Sequence, residues 1–178
     1  LIAVLGCCFF IQLLYFFCFF IRLSFHKTNK NSQLKEPVSV IIAARNESEN
    51  IENHLPLILN QDYPDFEVIV VNDRSWDSSE KVLEKFKDVY NNLKIVTIPD
   101  LGKDNFSKKF AITLGIKAAK NDLLLFIDAD CFPNSTQWIS TMSISNSNQK
   151  MISLGAGPYK KGKGLLNALI RFDAVQIA

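Results

Sequence analysis

Leu123-Leu124-Leu125-Phe126-Ile127-Asp128-Ala129-Asp130 joins a short apolar run to an acidic end. The run is too short for a core helix and has no polar face, so it reads as a strand buried on both sides. On an extended segment residues two apart point the same way, which sets the carboxylates of Asp128 and Asp130 side by side at the strand's carboxyl edge. Two unpaired carboxylates there cost stability unless solvent, a cation or hydrogen-bond donors receive them. Such a pair suits a divalent cation and a diphosphate, whereas an isolated Asp-x-Asp before Pro133 serves equally well as a turn or helix cap.

The same pattern recurs upstream. Val38 to Ala44 runs into Arg45-Asn46-Glu47-Ser48, Phe66 to Val71 ends at Asn72-Asp73, and Leu93 to Ile98 ends at Pro99-Asp100. Strand starts at 38, 66, 93 and 122 lie 28, 27 and 29 residues apart, about one βαβ unit each. Helical stripes fill the intervals: Ile51, Leu55, Ile58 and Leu59 after Ser48 as N-cap, then Val82, Leu83, Phe86 and Val89 after a cap at Asp77, Ser78 or Ser79, then Phe110, Ile112, Leu114 and Ile116. The alternation predicts an α/β domain, a mainly parallel sheet with helices on both faces. Ligands of such sheets bind beyond the carboxyl ends of the strands, near a topological switch point, and the acids of this chain gather at that edge.

The chain has 178 residues, and its first 21, Leu1 to Ile21, carry no charge. At about 1.5 Å per residue that run would be roughly 31 Å long as a helix, matching a hydrocarbon core of about 30 Å. Residues 1–23 are therefore expected to form a transmembrane helix, 24–36 a linker, and 37–178 the domain. Arg22, Lys27, Lys30 and Lys35 follow the run, opposed only by Glu36, which places the domain at the cytoplasmic face of a cell membrane. The alternative is a secretory signal peptide, against which stand the length of the run and the lack of a small-x-small cleavage site. A net charge of +2 argues against nucleic acid as a partner. No G-x-G-x-x-G follows the first strand and no G-x-x-x-x-G-K-[ST] occurs, which disfavours dinucleotide and P-loop chemistry. Three cysteines sit in the apolar run and Cys131 follows the Asp pair, so no disulfide framework or metal spacing arises; Cys131 reads as a small packed residue.

Each candidate residue has a second reading. Asp73 can end a turn or accept a nucleobase N–H, and Asp77 reads as the cap of the next helix. Lys108 and Lys109 open the third helix, where an ammonium and free N–H groups together suit a diphosphate, with Lys103 as a further donor; a solvated pair is the alternative. Glu47 completes a cap or lies near a nucleotide. Trp76 and Trp138 read as packing residues.

Three segments in order carry a resemblance: Val38-Ser39-Val40-Ile41-Ile42-Ala43-Ala44-Arg45-Asn46-Glu47; then Tyr63-Pro64 with Phe66 to Asp77; then Leu123 to Cys131. Over about residues 37–178 the chain resembles family 2 glycosyltransferases with a GT-A fold, especially bacterial membrane-anchored ones. The resemblance implies contacts to a nucleoside diphosphate sugar, with uridine the base expected in the family, at Ala43, Asn46, Glu47, Asp73, Lys108, Asp128 and Asp130. It places Asp73 on the base, Lys108 near the donor phosphates, and Asp128 and Asp130 on Mg²⁺ or Mn²⁺. It also implies inverting transfer to a glycan or lipid-linked acceptor, with the catalytic-base Asp expected downstream of Ala178. Asn72 stands where the family usually has a first acid. The competing readings are a nucleotidyltransferase, which lacks a Gly-rich basic loop here, a receiver-like phosphoacceptor domain, and a non-catalytic nucleotide-sugar sensor or assembly partner in the membrane.

Overall fold

The computed structural model describes residues 2–24, 36–99, 107–144 and 162–167, with the side chains of 2, 19–24 and 144 excepted. Most of the expected linker, Lys103 and the stretch after 167 lie outside these residues. The chain divides into two units, Leu1–Asn31 and Ser32–Ala178.

The first unit contains one helix, α1 (Ile2–Ser24). Among the described residues no helix is long and apolar enough to cross a membrane. The backbone helix is as long as the sequence predicts. The transmembrane helix expected over 1–23 is thus matched in helicity and unsupported as a span.

In the second unit β1 (Val38–Ala44), α2 (Ser48–Leu59), β2 (Phe66–Asp73), α3 (Ser79–Val89), β3 (Leu93–Ile98), α4 (Lys108–Ala118), β4 (Leu123–Phe126) and α5 (Trp138–Ile144) follow one another. The strands form one parallel sheet in the order β3-β2-β1-β4. From β1 the chain winds outward through β2 and β3, then returns to place β4 on the other side of β1. The switch point therefore lies between β1 and β4.

Strand alternation divides the core in two. Val38, Val40, Ile42, Val68, Val70 and Leu125 face one way, under Ile51, Leu55 and Ile58 of α2 and Leu83 of α3. Ile41, Ile69, Val71 and Ile98 face the other way, against Ala111 of α4. The α4 stripe differs from the sequence expectation: Ala111 and Gly115 are buried and Ile116 is 41% exposed. A Cβ on Gly115 would lie 2.6 Å from Ile41 Cγ2 and 3.2 Å from Val71 Cγ2, so small residues let the helix sit on the sheet while the larger ones spread around its sides. Val89 likewise falls outside the α3 stripe, 71% exposed at the helix end. On β4, Phe126 is 52% exposed, so this strand is not buried on both faces.

At the amino edge of the strands the Glu67 carboxylate is buried but fully engaged. Glu67 Oε1 accepts from Ser39 Oγ at 2.6 Å and from the Lys120 N–H at 2.7 Å, while Ser39 Oγ accepts the Asn121 N–H at 3.2 Å. This network ties the α4–β4 connection to β1 and β2, at the edge away from the acids.

Candidate functional site

At the carboxyl edge, β2 runs two residues farther than the apolar pattern predicts, because Asn72 and Asp73 pair with Thr97 and Ile98 of β3. Asp73 is thus a strand residue on the α4 side of the sheet, the side of its neighbour Val71. It is buried, and Arg74 Nε donates to its Oδ1 at 2.7 Å. Arg74, also buried, adopts a left-handed φ of 52°. Asn72 points to the opposite face, where its Oδ1 is buried with no hydrogen-bond partner among the described residues.

Ala43 belongs to the α4-side core. It pairs with Val71, and Ile41 pairs with Phe126, the last residue of β4. Asp73 and Ala43 therefore lie on one face of β2 and β1, and Asp128 follows two residues after the end of β4, the next strand of the row. With only a methyl group at Ala43, the middle of that row stays low and half-buried.

Lys108, the first residue of α4, donates from Nζ to Asp128 Oδ1 at 2.6 Å, both side chains being over half exposed. That hydrogen bond raises the pKa of the ammonium above its usual 10.5, against the pull of partial burial, and the charges of Asp128 and Asp130 add to it. Both carboxylates thus lie within electrostatic reach of one cation at a helix amino terminus. Lys109 is exposed beside it.

Asp128 and Asp130 do not share an extended strand, as the sequence suggests. β4 stops at Phe126, and the Cys131 N–H donates to the Asp128 carbonyl at 3.0 Å, closing a turn. Ala129 at its centre is buried and both acids are exposed. His54 of α2 holds this turn from below: its Nδ1 lies 3.3 Å from the Ala129 carbonyl, and its ring packs on Phe132 with centroids 4.8 Å apart. Cys131 is exposed rather than packed. Partial burial of its sulfur, its hydrogen bond to Asp130 and the two acids all push the thiol pKa up, which favours the protonated form.

The β1–α2 and β2–α3 loops are bonded to each other. Asp77 caps α3 as expected, taking the Ser79 N–H at 3.0 Å; its other oxygen takes the Ser48 N–H at the start of α2, also at 3.0 Å. Burial alone would raise its pKa, and these hydrogen bonds outweigh it, lowering the value to about 2. Neither Ser48 nor Ser78 makes a side-chain cap. Glu47 holds the N-cap position of α2, its carbonyl accepting the Ile51 N–H at 2.8 Å; its side chain caps no backbone N–H, and its Oε2 accepts from Asn50 Nδ2 of the same helix at 2.6 Å. Asn46, with φ 57°, accepts the Trp76 N–H through Oδ1 at 2.9 Å. Trp76 is 77% exposed, not a packing residue, and the Arg45 guanidinium sits 5.6 Å from its ring centroid. Trp138 does pack against the core.

Among the described residues no three His, Cys, Asp or Glu side chains form a group able to hold a metal ion. Asp128 and Asp130 nevertheless fit a hard divalent cation whose remaining ligands come from phosphate oxygens and water, a common mode for Mg²⁺. Sequence reasoning passed over His54, Arg74 and Ser75, and read Ser79 only as a candidate cap. Of the three passed over, only Ser75 carried a signal, as a small hydroxyl residue in a turn.

The family model described as "Glycosyl transferase family 2" matches residues 39–171. The chain belongs to that family. Two relatives of this family 2 domain are glycosyltransferase AglE of Haloferax volcanii, 36% identical over 57% of this chain and 33% of its own length, and a poly(ribitol-phosphate) beta-glucosyltransferase of Bacillus spizizenii, 29% identical over 75% of this chain and 21% of its own. The chain thus spans a third or less of the length of these curated relatives. Among solved structures, the mannosyltransferase PcManGT of Pyrobaculum calidifontis, in complex with GDP-Man and Mn²⁺, superposes with a TM-score of 0.66 at 21% identity, over 83% of this chain and 43% of that one. That likeness assigns the family 2 domain a GT-A-like fold.

Proposed function

We propose that the whole protein transfers a sugar from a nucleoside diphosphate sugar, by preference a UDP-sugar, to a glycan or lipid-linked acceptor, with inversion at the anomeric carbon. This domain supplies the donor half of the site. The observation that carries the reading is the Lys108–Asp128 pair with Asp130 beside it, at a helix amino terminus on the switch-point edge. The base end of the donor lies at Asp73, whose Oδ2 receives a base N–H while Arg74 keeps Oδ1. The ribose crosses the low row at Ala43, flanked by Asn46 and Glu47, and the diphosphate reaches Lys108.

Asp130 and Asp128 would hold Mg²⁺ or Mn²⁺, and the ion would offset charge on the departing diphosphate. Lys108 is freed from Asp128 as the phosphates arrive, exchanging one anionic partner for another. The acceptor hydroxyl gives up its proton to a general base as the sugar is transferred. Support for the cation and the diphosphate comes from PcManGT, whose complex contains GDP-Man and Mn²⁺, and support for a polymeric acceptor from the Bacillus relative, a poly(ribitol-phosphate) glucosyltransferase. We place α1 in the cell membrane with the domain on the cytoplasmic side. The support is the uncharged run Leu1 to Ile21 and the cations that follow it.

Calorimetric titration of the chain with UDP-glucose, UDP-N-acetylglucosamine and GDP-mannose, with and without Mn²⁺, tests the reading. Saturable binding that requires Mn²⁺ is expected for at least one of them, and absence of binding for all three refutes the donor site.

A further inference from the structure

Four hydrogen bonds cross between the β1–α2 and β2–α3 loops. The Asn46 N–H donates to Ser75 Oγ at 3.0 Å, the Trp76 N–H to Asn46 Oδ1 at 2.9 Å, the Glu47 N–H to Ser79 Oγ at 3.2 Å, and the Ser48 N–H to Asp77 Oδ2 at 3.0 Å. The first residues of a helix leave N–H groups without intrahelical partners. A capping Asp usually receives one such group from its own helix. Asp77 receives one from each of two helices, Ser79 at the start of α3 and Ser48 at the start of α2.

The other three crossing bonds go beyond capping, because they fasten loop to loop. Asn46 takes the left-handed backbone that asparagine tolerates, and in it both its N–H and its side-chain oxygen meet the neighbouring loop. The strand register starts the two loops at the same level, with Ala44 beside Asn72. Asp73 and Arg74 lie directly before the braced segment, and the Arg45–Trp76 stack closes its outer end.

We infer that Asp77 is a positioning residue that locks the β1–α2 loop to the β2–α3 loop, so that the nucleobase end of the donor meets one preformed wall. The inference rests on the donor-site reading above and adds the device that holds its base end ready. A wall ordered before binding spares the donor the entropy of fixing two loops. The device acts on nucleoside recognition and leaves the diphosphate end, on Lys108 and the Asp128–Asp130 turn, untouched.

The full chain carrying Asp77→Ala or Asp77→Asn tests this through amide exchange and binding of three probes with Mn²⁺: UDP, GDP and inorganic pyrophosphate. Asp77→Ala should speed exchange of the Ser48 amide about tenfold and weaken the tightest-binding nucleoside diphosphate about fivefold or more, with pyrophosphate changed less than about twofold. Asp77→Asn, which keeps an accepting oxygen, should recover part of both losses. Equal weakening of pyrophosphate, or Ser48 exchange that stays slow, would overturn the inference. Should Asp77→Ala fail to fold, Ser75→Ala removes one crossing bond and spares both caps; it should show a smaller loss of the same selective kind, and unchanged nucleotide affinity there would count equally against the brace. If the unaltered chain binds none of the three probes, the donor-site reading falls and the inference with it; binding to the unaltered chain with no selective loss in the variants overturns the brace alone.

Discussion

Asp128 and Asp130 differ in what they already hold. Asp128 is bonded to Lys108, whereas among the described residues Asp130 receives only the weak donation of the Cys131 thiol at 3.5 Å, so Asp130 is the more available oxygen donor for a cation. Asp130→Asn should weaken Mn²⁺-dependent nucleotide affinity about tenfold or more, roughly 1.4 kcal/mol, measured by calorimetry. Lys108→Met should lower diphosphate affinity by a similar factor and leave free nucleoside binding alone. With its pKa raised above 10.5, Lys108 stays charged throughout the working range, and donor affinity measured from pH 7 to 9 should show no loss that disappears in Lys108→Met. At this scale the residue types were legible and their partners were not. Nothing in the spacing of His54 and Ala129, 75 positions apart, announces a contact.

Helices and strands formed largely where apolar periodicity put them, since period 2 and period 3.6 are local properties of the chain. The departures have packing causes. Helix α4 turns its small residues inward because a side chain at Gly115 would collide with Ile41 and Val71. Gly115→Val should therefore cost about 1–3 kcal/mol in chemical denaturation, an overpacking penalty, despite valine's greater hydrophobicity. The paired helix starts under Asp77 give a pH signature. Its folded pKa of about 2 lies below the ordinary carboxylate value of 3.8, so its contribution is fully present above pH 3.8 and is lost as pH falls toward 2. Asp77→Ala should reduce stability at pH 7 by about 0.5–2 kcal/mol, the usual range for a lost cap, and flatten the decline between pH 4 and 2 in acid titration followed by circular dichroism.

For the molecule as a whole, the membrane assignment is tested by deletion: removing residues 1–24 should shift the protein from the carbonate-resistant membrane fraction to the supernatant, and an unchanged distribution would place the attachment elsewhere. The parallel α/β architecture and the edge that collects its acids were both readable from the sequence. Each follows from short apolar runs ending in polar clusters at intervals of one βαβ unit, and such patterns need no knowledge of distant contacts. The order β3-β2-β1-β4, the burial of Asp73 against Arg74, the pairing of Lys108 with Asp128 and the reach of Asp77 across to Ser48 were settled only by the tertiary structure. Apart from Asp73 and Arg74, neighbours in the chain, those partners come from different elements, and only the packing of α4 on one face and of α2 and α3 on the other brings them within hydrogen-bonding distance.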